Sequence, residues 1–229
     1  MNIYEKTLID LYDYADEKFK TFNEKIVNCD KPLIGVRTPD IKMIAKRVIS
    51  SDPYGYLSEC KFQYYEDTLI FGLVIASFKY EEFLLYLNDY LSKACGWSHV
   101  DCFVSAVKCL KNRDNKSKFF NILQGKLTVV NGYELRFYIV AMMVFYLEDG
   151  YIDDVLKSAC ALCGNGYYND MAIAWLLSVA FIKYKDKVVD VLLSGGLCDF
   201  VQNKTISKIC DSFRVSLEDK NTVKTFRKR

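Results

Sequence analysis

Trp97 and Asp101 stand four residues apart in the run Trp97-Ser98-His99-Val100-Asp101, Arg136 follows Asp101 by 35 residues, and Trp175 follows Arg136 by 39. A spacing of four on a helix puts an indole and a carboxylate on one face, where both can act on one target. Indole faces attract cations, a carboxylate stabilises developing positive charge, and a guanidinium grips phosphate through paired hydrogen bonds. Together these groups suit a cationic aromatic group attached to a phosphate backbone. Each residue also has an ordinary structural role open to it. Trp97 and Trp175 are both suited to a core. Arg136 is the only basic residue in a long apolar run, Glu134 to Met143, so it needs a partner: Asp101 or Glu134 as an ion pair, or a phosphate.

The elements that must position these residues recur. Aromatic-rich helix starts fall near Tyr65, His99, Tyr133 and Tyr167, an interval of about 34 residues, which is the range of helical-repeat solenoids. Equivalent positions in stacked repeats lie side by side, so the four residues are expected to line one groove. Helical periodicity predominates and strand alternation is hard to find. Ile3, Leu8, Leu11, Tyr12, Ala15 and Phe19 form an apolar stripe on a first helix, and Thr38-Pro39-Asp40 predicts an N-cap, a first-turn proline and a carboxylate matched to the helix dipole. That helix is expected from Pro39 to about Ile49. After Asp52-Pro53 the pattern predicts helical pairs at roughly 64–78 with 81–93, 97–111 with 115–127, 132–147 with 151–163, 167–184 with 185–194, and 198–213 with 217–227. The expected architecture is all-α: one domain over 1–229, with an N-terminal helical cap (1–60) and an α-solenoid of helical pairs (61–229).

With only 3 Pro and 11 Gly, the 229 residues leave little room for linkers, and a net charge of +2 does not announce a nucleic-acid partner. Charge is clustered, however. From Lys204 to Arg229 there are eight basic and three acidic residues, a net +5 that leaves −3 for the remainder. Most of the nine cysteines sit in apolar helical patterns; Cys95, Cys102 and Cys109 are spaced by seven and read as small core residues on one face. Cys160-x-x-Cys163 has no second pair and no nearby His, so no metal or cofactor is expected. Without a signal-peptide pattern or an uninterrupted apolar span, and with many unpaired thiols, a cytoplasmic location is expected, nucleoid-associated in a bacterium.

Gly35-Val36-Arg37-Thr38-Pro39-Asp40, Trp97-x-x-Val100-Asp101, Arg136-Phe137, Ala172-Ile173-Ala174-Trp175 and the run Asn203 to Cys210 resemble the HEAT-like-repeat DNA glycosylases of the AlkD family along nearly the whole chain. The resemblance implies a curved HEAT-like solenoid with a concave DNA-binding face. It also implies an activity: hydrolysis of the N-glycosidic bond of 3- or 7-alkylated purines in double-stranded DNA, which starts base-excision repair. The catalytic positions it implies are Trp97, Asp101, Arg136 and Trp175. N3 or N7 alkylation makes the base cationic and a good leaving group, so what needs stabilising is an oxocarbenium-like sugar beside a carboxylate. Asp101 is suited to that and to orienting water, the two indoles to the sugar and lesion, and Arg136 to an adjacent phosphate.

Lys42 with Lys46 and Lys204 with Lys208, each four apart, form basic ridges expected to meet DNA phosphates, although solvated helix faces carry the same pattern. His99 is offset by two from Trp97 and from Asp101 and so turns to another face. Two other functions fit a helical repeat: a non-catalytic protein that binds branched or damaged DNA, and a protein-binding scaffold. Each chain is expected to act as a monomer.

Overall fold

The computed structural model describes residues 1–27 and 29–228. Among the described residues the structure is helical, with no sheet and a single isolated bridge between Ala15 and Val36. The helices are α1 (Ile3–Asp13), α2 (Glu17–Glu24), α3 (Thr38–Ser51), α4 (Pro53–Glu59), α5 (Tyr65–Ile75), α6 (Tyr80–Lys93), α7 (Trp97–Ala106), α8 (Arg113–Lys126), α9 (Gly132–Phe145), α10 (Ile152–Ala161), α11 (Tyr167–Lys183), α12 (Lys185–Leu193), α13 (Asp199–Asp211) and α14 (Leu217–Lys224), with a 3-10 turn at Cys109–Lys111. The chain divides into two compact units, 1–119 and 120–229.

In the first unit α1 packs on α3 and α4, α3 on α5, and α5 on α6 and α7. Every residue of α5 is buried, because it is apolar almost all round and is covered by its neighbours. Its two acids are exceptions in chemistry only. Glu66, 1% exposed, accepts the backbone N–H groups of Ile34 (3.0 Å), Gly35 (2.8 Å) and Val36 (3.3 Å). Asp67 accepts the Tyr4 hydroxyl (3.0 Å) and the Tyr64 N–H (2.9 Å). The 35–40 motif is therefore a packed connection that α5 pins in place. Gly35 has φ +98°, and a Cβ there would stand 2.6 Å from Lys20 Cβ, so the position requires glycine.

In the second unit α9 packs on α11 and α11 on α13, while α10 and α12 lie against α11 and α14 against α13. Leu135 to Met143 are buried without interruption, as are most of the side chains of α11. Phe120 meets Tyr146 and Tyr151 at 4.9 and 4.7 Å between ring centres. Several bonds in each unit join residues 32 to 35 apart. His99 bonds Tyr65 in the first; Gln124 bonds Ser158, Arg136 bonds Tyr168, Tyr184 bonds Asp149 and Lys187 bonds Asp153 in the second.

Helix boundaries differ from the sequence-based expectation where capping overrides periodicity. The first stripe does not lie on one helix. Asp16 accepts the Lys18 and Phe19 N–H groups (2.9 and 3.0 Å), ends the run after α1 and starts α2. Tyr12 and Ala15 are consequently exposed, and the buried residues of α1 are Tyr4, Thr7 and Leu11. Thr38 is not an N-cap but the first helical residue, after Arg37. Asp52 caps a short helix, α4, that periodicity does not signal, and the helix expected over 97–111 ends at Ala106.

Candidate functional site

The start of α7 is fixed from three sides within the first unit. Gly96 precedes it, and a Cβ there would come within 2.9 Å of the Tyr65 hydroxyl. That hydroxyl and the Ser98 hydroxyl are hydrogen-bonded. His99, fully buried, donates from Nε2 to the Tyr65 carbonyl (3.0 Å) and accepts the Cys95 N–H at Nδ1 (3.2 Å). Trp97, half-buried, donates its indole N–H to the Ile26 carbonyl (3.4 Å). Cys95 is joined to Cys29 by a disulfide. The expectation that Cys95, Cys102 and Cys109 share one helix face as core thiols is thus corrected: Cys95 precedes α7 and is bridged, Cys102 lies on α7, and Cys109 lies in the 3-10 turn.

His99 has a structural role, and its charge state follows from burial. Removal from water pushes its pKa down to about 3, against the Tyr65 carbonyl, which favours the charged ring. An unfolded His binds its proton near 6.5, so unfolding takes up a proton between these values. Stability from the neutral ring is complete above about 6.5 and is lost as pH falls towards about 3. One proton corresponds to at most about 1.4 kcal/mol per pH unit. Urea denaturation at about pH 7 and about pH 4 should show a shallower acid loss in His99→Asn than in the native protein.

Asp101 lies one turn along α7 from Trp97 and is partly exposed. One turn further, the Ser105 hydroxyl donates to the Asp101 carbonyl (2.7 Å) and lines a cavity of about 550 Å³. Lys42 and Lys46 from α3 also line this cavity, together with Lys108, just before the 3-10 turn, and Lys111, its last residue. All four lysines are exposed. The thiol of Cys102 senses both neighbours: burial raises its pKa, Lys42 opposes the rise and Asp101 adds to it. The structure thus brings Lys42 and Lys46 together beside the helix of Asp101. Lys108 and Lys111 complete the basic rim without a signal in the sequence, because their three-residue spacing spans a 3-10 turn and has no amphipathic signature.

The second unit holds the other two. Arg136 on α9 is 6% exposed and donates to the Tyr168 carbonyl at the start of α11. Trp175 on α11 is half-buried and lines a cavity of about 300 Å³ with Lys208, Asp211 and Arg214. Neither indole is a core residue. Lys204 is exposed and sits 5.9 Å from the Phe200 ring centre, one turn from Lys208 and outside that cavity lining. Trp97 with Asp101, Lys42 with Lys46, and Trp175 with Lys208 are therefore neighbours within their own units.

The chain matches no family model, no curated protein and no solved structure. Among the described residues no helix is long and apolar enough to cross a membrane.

Proposed function

We propose that this chain is a DNA glycosylase of the AlkD type, which excises 3- or 7-alkylated purines from double-stranded DNA on a solenoid of HEAT-like repeats. The observation that carries the proposal is on α7: Trp97 and Asp101 one turn apart on a braced helix start, followed one turn later by a cavity rimmed with Lys42, Lys46, Lys108 and Lys111. Bonds at separations of 32 to 35 residues support the repeat reading, because stacked repeats place equivalent positions side by side.

Hydrolysis in this scheme needs little from a general acid. The alkylated base leaves as a neutral molecule, and positive charge shifts to the deoxyribose. The Asp101 carboxylate stabilises that charge and orients the water that attacks the anomeric carbon; the water's proton passes to solvent. Trp97 contacts the sugar and cationic base, contributing on the order of 0.5–2 kcal/mol. The lysine rim of the first unit holds backbone phosphates, and the second unit offers its own groups to the duplex: Trp175, Arg136, Lys204 and Lys208. The protein works as a monomer in the cytoplasm and needs no cofactor.

The burial of Arg136 and its bond to the Tyr168 carbonyl favour a second reading, in which the guanidinium is structural and the protein binds branched or damaged DNA without cutting. Formation of abasic sites in methylated but not in unmodified duplex separates the two. The lysine rim makes its own prediction. Each phosphate contact contributes about 0.9 to the slope of log affinity against log salt. Replacing Lys42, Lys46, Lys108 and Lys111 with Ala should flatten that slope by up to about 3.6, measured by fluorescence anisotropy on duplex DNA.

A further inference from the structure

Cys163 and Cys198 stand apart from the proposed DNA chemistry. Cys163 lies in the connection between α10 and α11, and Cys198 immediately precedes α13, so each sits at the entry to one of two helices that pack together. Their sulfurs are 2.8 Å apart, within about 1 Å of a disulfide bond length of about 2.04 Å. The backbone N–H of Cys198 donates to the Cys163 sulfur (2.9 Å), which fixes the second connection against the first. The turn after Cys163 is also braced: Gly164 N–H donates to Asp170 Oδ1 (2.9 Å) and Asn165 to the Leu162 carbonyl (2.9 Å). Both cysteines are half-exposed, within reach of a small oxidant.

We propose that Cys163 and Cys198 form a redox-modifiable dithiol, which a small-molecule disulfide of the glutathione type closes into a bridge tying the start of α11 to the start of α13. One cysteine thiolate attacks a sulfur of oxidised glutathione, whose S–S bond breaks and releases one glutathione thiolate. The second cysteine thiolate then attacks the protein sulfur of the mixed disulfide and expels the second glutathione. The two protein thiols lose two protons and two electrons, and one oxidised glutathione becomes two reduced molecules. Because Trp175 on α11 and Lys208 on α13 line one cavity, the bridge restrains the two walls of that cavity relative to each other. Closing a connection of 35 residues also removes freedom from the unfolded chain.

The test starts from full-length protein reduced with dithiothreitol, then exchanged into oxidised glutathione, alkylated with iodoacetamide and mapped by mass spectrometry. A cross-linked peptide pair containing Cys163 and Cys198, with Cys60 and Cys102 alkylated, is expected, together with a rise in Tm of roughly 5 °C. Cys198→Ser should instead retain glutathione on Cys163 and show only the smaller rise that closure of Cys29–Cys95 gives. Recovery of both cysteines alkylated, or both carrying glutathione, under conditions that close Cys29–Cys95 overturns the proposal. A cross-link with a Tm rise no larger than that of Cys198→Ser overturns the tie between the helices.

Discussion

Asp101→Asn is expected to abolish base release, lowering the single-turnover rate by at least about 100-fold while DNA affinity stays within a few-fold of native. The substitution keeps the size of the side chain but removes the charge and turns one acceptor into a donor. In the scheme above that charge matters most when the glycosidic bond is nearly broken and the sugar is cationic, so its loss falls on the chemical step and not on binding. Asp101 sits on a helix start held by the Tyr65 to His99 and Trp97 to Ile26 bonds, and circular dichroism checks that the variant keeps that helix. A variant that loses DNA binding and base release together would mark Asp101 as a structural group instead.

Glu66→Ala is expected to have the largest effect on stability. Three buried backbone N–H groups converge on one buried carboxylate, and truncation leaves all three without their acceptor. Each buried donor left without an acceptor costs about 1–3 kcal/mol, so three together are a large share of the roughly 5–15 kcal/mol that holds a domain together. Urea denaturation should show a marked fall in the midpoint, with the 31–37 connection becoming susceptible to limited proteolysis before the rest of the chain. Glu66→Gln should fall between the two, since its amide turns a donor towards at least one of the same N–H groups. An unchanged midpoint in Glu66→Ala would show that solvent replaces the carboxylate without loss.

The helices from Tyr65 onward were legible in the sequence, through continuous apolar runs in α5, α9 and α11 and polar stops such as Gly150 and Gly195-Gly196. The amino-terminal 60 residues were less so. There Asp16 and Asp52 end or start helices through their own side chains, and an apolar stripe that continues past Asp16 gives no warning of the break. At the candidate site, the one-turn spacing of Trp97 and Asp101 was legible and so was the Lys42 and Lys46 ridge. Lys108 and Lys111 were not, since their place beside α3 depends on how the chain turns after Ala106. The role of Glu66 was hidden for a related reason: an acid in an apolar helix announces that it needs donors, but the donors lie 30 to 32 residues away on a connection without periodicity. The Cys29 and Cys95 pairing was equally invisible, because seven-residue spacing put Cys95 in a different group.

The decisive measurement is single-turnover release of 3-methyladenine and 7-methylguanine from methylated duplex DNA, run side by side with native protein and Asp101→Asn at equal DNA occupancy. If the chain is an alkylpurine glycosylase, the native protein releases free base and the variant does not. Salt-sensitive binding by both proteins with no base released by either would contradict the enzymatic function and leave a protein that only holds DNA.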